Sequence, residues 1–257
     1  MSVYEGYIRT EKFFSEAWNI FSFSLRYFRN FTAIPYELKE TVKQFFILGY
    51  KSLPLVSITG FIIGLTLSLQ MGPILGKFGA ESLIPSMVAI SIIREIGPVI
   101  IGLICAGKIG SAIGAELGSM KVTEQIDAME VSACNPFRYL VLTRVTAVTI
   151  ALPVLVIYAD FLAIIGGYVA MSLEGSMSFR VYFDAAINSL TFSDVIPATL
   201  KTFFFGFSIG LIGCYKGYHC SRGTESVGLA ANSSVVLASL LIIVQDLIAV
   251  KISNMIF

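Results

Sequence analysis

Residues 83–106 read LIPSMVAISIIREIGPVIIGLICA. Apart from Arg94 and Glu95 the run is apolar or small. As a helix it bridges a hydrocarbon core of about 30 Å, which takes about 20 residues. Four more runs have comparable length, at about 53–75, 145–173, 195–214 and 227–256. Backbone groups in lipid must be satisfied internally, so these runs are helices rather than open strands. The sequence thus predicts an all-α integral membrane protein with five transmembrane helices, in which Pro54, Pro73, Pro85, Pro98, Pro153 and Pro197 become kinks or ends.

Composition points the same way. Of 257 residues 56% are apolar and 14% charged, against about 25% charged in an average soluble domain. Mean hydropathy is +0.81. These values exclude a disordered tail, a disulfide scaffold or a large catalytic ectodomain. The net charge of +1 excludes a nucleic-acid binder that works through a large basic field.

Basic residues set the orientation. Residues 1–52 hold Arg9, Lys12, Arg26, Arg29, Lys39, Lys43 and Lys51. Lys108, Lys121, Arg138 and Arg144 lie between spans two and three, and Lys216 and Arg222 between spans four and five. The opposite side has only Lys77, Arg180 and Lys251. The N-terminus and residues 107–144 are therefore expected in the cytoplasm, and the C-terminus across the membrane. Two parts are expected, an amphipathic membrane-surface segment over residues 1–52 and the permeating domain over 53–257. The first twelve residues carry Glu5, Arg9, Glu11 and Lys12 without an apolar core, unlike a cleavable signal. Next, Phe13, Phe14, Ala17, Trp18, Phe21, Leu25 and Phe28 recur at helical spacing between polar residues. That stripe suits an interfacial helix, or a helix packed on the protein's own core. A shorter amphipathic stretch, residues 38–46, leads into span one.

Sites for common chemistry are missing. Residues 72–77, GPILGK, are one residue short of a phosphate-cradling loop and are followed by Phe78. His219 is the sole histidine, which argues against a zinc-protease helix or a histidine triad. With Cys214 and Cys220 it makes an incomplete metal set, so no metal site is expected.

Two constellations carry signal. Arg94, Glu95, Lys201 and Asp246 fall inside spans, where a charge costs several kcal/mol unless paired or facing a polar cavity. At about 1.5 Å per residue all four lie at mid-membrane or in the outer half. They read as an ion-pair cluster holding helices together, a polar layer lining a substrate cavity, or both. Asp160 and Gln70 are weaker candidates for the same layer.

The second constellation is residues 106–136, AGKIGSAIGAELGSMKVTEQIDAMEVSACNP. Gly107, Gly110, Gly114 and Gly118 form a small-residue ridge suited to close helix contact. Val122, Ile126 and Met129 then share one face among Lys121, Glu124, Gln125, Asp127 and Glu130, as in a short cytoplasmic helix that either docks a partner or is merely solvated.

The runs IREIGPVI (93–100) and AGKIGSAIGAELGSMKVTEQIDAMEV (106–131), with Leu152-Pro153, closely resemble the MlaE family of ABC-transporter permeases over about four-fifths of the chain. The resemblance implies a homodimeric permease in a bacterial inner membrane, with five spans and an N-terminal surface helix. It implies partners: cytoplasmic ATPase subunits that bind ATP and Mg, an MCE-domain (mammalian cell entry) lipid-binding protein, and a small accessory subunit. Phospholipid, or a similarly hydrophobic molecule, is the implied substrate. The chain itself binds no cofactor and is not an enzyme. Glu116, Met120, Lys121, Thr123, Glu124, Gln125 and Asp127 match the family's ATPase-coupling helix, Arg94, Glu95, Lys201 and Asp246 its lipid-binding region, and Ile74, Leu75 and Phe78 its cavity lining. Lys108 replaces a common arginine, and Leu229 a usual basic residue. Rival classes are a proton-coupled secondary transporter or channel using Glu95 and Asp246, a membrane-embedded enzyme, and a structural anchor for an MCE-type partner.

Overall fold

The structure, a computed structural model, describes residues 2–31, 37–173 and 177–256; the side chains of Lys12 and Phe13 lie outside the described residues. Every regular element described is helical. In chain order they are α1 (Ser2–Phe31), α2 (Leu38–Gly76), α3 (Ile84–Ser91), α4 (Gly97–Cys105), α5 (Ser111–Val122), α6 (Gln125–Val131), α7 (Thr143–Leu173), α8 (Phe179–Asn188), α9 (Phe192–Tyr218) and α10 (Thr224–Ile256). Wide π turns at Ile92–Ile96 and Ala106–Gly110 join α3, α4 and α5 into one rod, and a third, Phe137–Leu142, leads into α7. Among the described residues five rods are long and apolar enough to cross a membrane: Leu38–Gly76, Glu81–Val122, Phe137–Leu173, Phe192–Tyr218 and Thr224–Ser253.

Three differences from the sequence expectation matter. Span one starts at Leu38, so the amphipathic stretch 38–46 is the opening of the same continuous helix. Span two passes its expected end at Ala106 and runs to Val122. Ile109, Ile113 and Leu117, four residues apart and all buried, carry its apolar face onward, and the π turn absorbs the change of register. The short helix α8, whose buried Tyr182 and Ala186 face the bundle, was not anticipated. Ser86 Oγ on α3 donates to the Ala185 carbonyl of α8 at 3.2 Å.

The rods alternate in direction. One end of the bundle collects the start of α2, the α5–α6 elbow and the α9–α10 connection; the other collects the end of α2, the start of α3 and α8. α7 and α9 sit centrally, with α2 packed on α7 and both α5 and α10 packed on α9. Backbones come very close at α2–α7, where a Cβ at Gly64 would overlap the Ala163 carbonyl oxygen. Of the predicted glycine ridge, Gly114 faces Ser234 of α10, while Gly107 faces open space.

Helix α1 lies against the elbow end. Phe23 packs edge-on against Phe137, Tyr215 and His219, and Tyr27 donates to or accepts from Thr146 Oγ1 at 2.9 Å. Glu16 and Lys216 form an ion pair that ties α1 to the end of α9. These contacts leave Phe14, Trp18, Phe21, Leu25 and Phe28 exposed. Docking on the core thus falls to Phe23 and Tyr27, which lie off the predicted aromatic stripe.

Candidate functional site

The π turn at Ile92–Ile96 presents Arg94 and Glu95, and Gly97 and Pro98 follow it. A proline has no N–H to give to the carbonyl four residues earlier, which here is that of Arg94. Lys201 Nζ, from α9, donates to that carbonyl at 2.6 Å. The same ammonium reaches Asp246 Oδ1 of α10 at 2.8 Å and Glu95 Oε2 at 3.2 Å. An ammonium carries three donors, so all three are committed. Lys201 is only 6% exposed. Nine residues in from Phe192, it sits about 14 Å along its helix. A lysine buried at that depth needs such compensation, since a lone charge in the hydrocarbon is costly.

Arg94 is placed differently from the expected set of four mutual partners. Its Nε lies 3.6 Å from Asp194 Oδ1, near the start of α9. Asp194 also caps that helix, accepting from the Thr191 backbone N–H at 3.0 Å and the Thr191 hydroxyl at 2.7 Å. The sequence reading missed Asp194, although Thr191 and an acid three residues on, ahead of an apolar run, follow a capping-box pattern. Between spans two, four and five, Arg94, Glu95, Asp194 and Lys201 line a small cleft with Ser193, Pro197 and Ser253, and Asp246 lies outside its lining.

Asp160, on α7, meets another face of span two at Gly97. It is 9% exposed, and a Cβ at Gly97 would overlap its Oδ1, so only glycine admits the carboxyl there. Gln70, Ile74 and Phe78 are exposed on and just beyond the end of α2, while Leu75 packs against the Ile84–Tyr182 cluster. None of these four lines the charged cleft.

The expected coupling segment is bent. α5 ends at Val122, and Glu124 adopts the left-handed conformation at φ 58° before α6 starts at Gln125. Lys121 Nζ closes the bend onto Asp127 Oδ1 at 2.7 Å, and Gln125 Nε2 donates to Thr123 Oγ1 at 3.0 Å. Ile126 is buried and Met120 and Met129 pack on the core, whereas Thr123, Glu124, Gln125 and Asp127 are exposed. Glu116 pairs with Arg144 of α7, Nη2 to Oε1 at 2.7 Å. Cys214 is buried, His219 Nδ1 meets the Tyr215 carbonyl and Cys220 Sγ meets Ser226 Oγ. No cluster of metal-ligating side chains occurs among the described residues.

Five spans, a charge cluster between three of them and a polar elbow at one end define a polytopic membrane protein. The sequence profile described as Permease MlaE matches residues 41–252, and the chain belongs to that family. A probable ABC transporter permease protein of Rickettsia felis is 38% identical over 241 residues, covering 93% of this chain and 92% of its own. The intermembrane phospholipid transport system permease protein MlaE of Haemophilus influenzae is 36% identical over 213 residues, 82% and 81% of the two chains. A probable ABC transporter permease protein of Synechocystis is 31% identical over 208 residues, 81% and 79%. The chain is accordingly a permease subunit of an ABC transporter, with ATP hydrolysis belonging to a separate subunit.

Proposed function

We propose that the chain forms the membrane path of a transporter that moves phospholipid between membranes. The observation that carries this reading is Lys201 held between Glu95 and Asp246, beside Arg94 and Asp194, in a cleft shared by spans two, four and five. A phosphate head group meets cations there while acyl chains lie on apolar helix faces. The name of the Haemophilus relative supports the substrate class.

The working unit is a homodimer. α10 leaves Val236, Leu240, Ile243 and Leu247 exposed along its length, and a second copy covers them so that the clefts face one another. The exposed aromatics of α1 rest in the cytoplasmic membrane surface, and the inner membrane of a bacterium is the site, with the N-terminus cytoplasmic and the C-terminus opposite. The elbow at Glu124 receives the ATPase, whose subunits bind ATP and Mg, and an MCE-domain protein and a small accessory subunit complete the assembly. Gln70, Ile74, Leu75 and Phe78 line the outer part of the lipid path.

The test is reconstitution of the chain with its ATPase in vesicles holding fluorescent phospholipid. Lys201→Met is expected to abolish ATP-dependent lipid movement while the dimer still purifies intact. Full transport by the variant, or proton-driven flux by the chain without ATPase, would overturn the reading.

A further inference from the structure

A groove bounded by α1, α9 and α10 runs inward from the elbow end of the bundle. It has two chambers, which share Glu16 and Leu237 in their walls. The first, of about 560 Å³, is open and partly polar, with Lys216, His219, Asn232 and Ser233 in its lining. The second, of about 520 Å³, is walled by Ala17, Ile20, Phe21, Leu211, Leu237 and Leu241 and reaches as far as Gln245. Helix α1 touches the bundle chiefly at α9 and at Phe137–Leu142, which leaves this space open beside α10.

Size and polarity limit what can fill it. From Leu237 to Gln245 α10 rises about 12 Å. A helix of that length and about 10 Å across takes up about 900 Å³, so the apolar chamber is too small to enclose one. One leaflet's share of a hydrocarbon core of about 30 Å is about 15 Å, so a single acyl chain fits the chamber along most of its length. Water gains little there, because most of the wall is apolar. The polar chamber adds Lys216, whose ammonium pairs with Glu16 and lies 5.9 Å from the centre of the Tyr215 ring. Glu16 is its one hydrogen-bond acceptor among the described residues, and an ammonium carries three donors. Unlike Lys201, it therefore has donors to offer an incoming acceptor. The apolar chamber also differs from the face of α10 proposed to meet a second copy: Leu237 and Leu241 follow Val236 and Leu240 by one residue each, about 100° round the helix.

We infer that this groove is a second lipid site, holding one phospholipid with an acyl chain in the apolar chamber and its phosphate on Lys216. The ammonium then bridges Glu16 and the phosphate, and the second chain stays in the surrounding bilayer. An uncharged diacyl lipid fills the apolar chamber equally well but gives the Lys216 donors no anion to meet. The bound lipid completes the packing of α1 against α10. The site stands apart from the Lys201 cleft and does not require that cleft to carry cargo.

The experiment uses the assembled transporter in lipid nanodiscs and two probes, a phosphatidylglycerol and the diacylglycerol with the same chains, each carrying a photoreactive diazirine on one chain. Adducts are mapped by mass spectrometry. Val154, Ile157 and Phe161, exposed on α7, report the bilayer at large and normalise the two probes. Normalised labelling of residues 17–24 and 237–245 should be about tenfold higher with the phospholipid, the factor that one charge-assisted hydrogen bond gives. Lys216→Gln should bring that ratio to about one. Ala17→Trp, at an exposed position of α1, narrows the apolar chamber and should lower groove labelling by both probes several-fold; it decides the matter if Lys216→Gln fails to assemble. Equal normalised labelling by the two probes, an undiminished ratio in assembled Lys216→Gln, or unchanged labelling in Ala17→Trp would overturn the inference. So would the absence of groove adducts from the assembled complex, the result expected if another subunit covers the groove. Labelling needs no turnover, so failure of lipid transport through the Lys201 cleft would leave it unchanged.

Discussion

Arg144 Nη2 lies 2.7 Å from Glu116 Oε1, so the first turn of α7 is ionically joined to the last turns of span two, just before the elbow. Arg144 is 4% exposed and also donates to the Leu140 carbonyl at 3.1 Å. Removing Glu116 strands a buried guanidinium, whereas removing both partners does not. Glu116→Gln should destabilise the purified chain by about 1–3 kcal/mol, read as a lowered thermal midpoint. The double variant Glu116→Gln/Arg144→Met should lose less than the sum of the single losses. Additive losses would show that the pair is not a unit.

The elbow itself gives a second expectation. Glu124 holds a left-handed conformation that costs a non-glycine residue about 1–2 kcal/mol, so Glu124→Gly should stabilise the fold slightly in the same thermal measurement. Asp127→Lys instead sets a second cation against Lys121, 2.7 Å from the carboxylate it replaces. Lipid-stimulated ATP hydrolysis in the reconstituted complex should fall several-fold while subunits still copurify. Unchanged hydrolysis would remove the elbow from the coupling path.

For the buried ammonium, the informative comparison is between single and paired substitutions. Lys201→Met leaves Glu95 and Asp246 facing each other with no shared cation. Lys201→Met with Asp246→Asn relieves that repulsion. The double variant should recover thermal stability relative to Lys201→Met but not lipid transport, which separates the structural part of the cluster from its transport part. Recovery of both would make the ammonium purely structural.

Backbone approach can be tested where a side chain has no room. Gly64→Ala forces α2 away from the Ala163 carbonyl and should cut the yield of folded protein sharply. Gly107→Ala meets nothing within 4 Å and should be neutral. Size-exclusion profiles of the two variants provide the comparison.

The number of spans was legible because about 20 apolar residues in a row have few alternatives. That Lys201, Glu95 and Asp246 come to one level of the bundle was legible for the same reason, since rise per residue converts position into height along each helix. Azimuth was not, because π turns at Ile92–Ile96 and Ala106–Gly110 shift the helical phase and leave no simple mark in composition. Hence Arg94 was expected to share its partners with Lys201, and its neighbour Asp194, near the start of α9, was passed over. The continuation of span two to Val122 was hidden by its glycines, which read as a contact ridge after the helix and are in fact inside it. Asp160 was seen as a member of the charged layer; its separate place depends on how α7 meets Gly97, which is a property of packing.

Because all three protons on Lys201 are already bonded, an anion arriving there finds no vacancy. It has to exchange with an acceptor, and each acceptor is a tether: Asp246 fastens α9 to α10, while Glu95 and the Arg94 carbonyl fasten α9 to span two. On the function proposed above, head-group capture and the untying of two helices would be a single ligand-swap reaction at one nitrogen, so the strength with which the cluster holds the bundle shut would also set the threshold for cargo to enter.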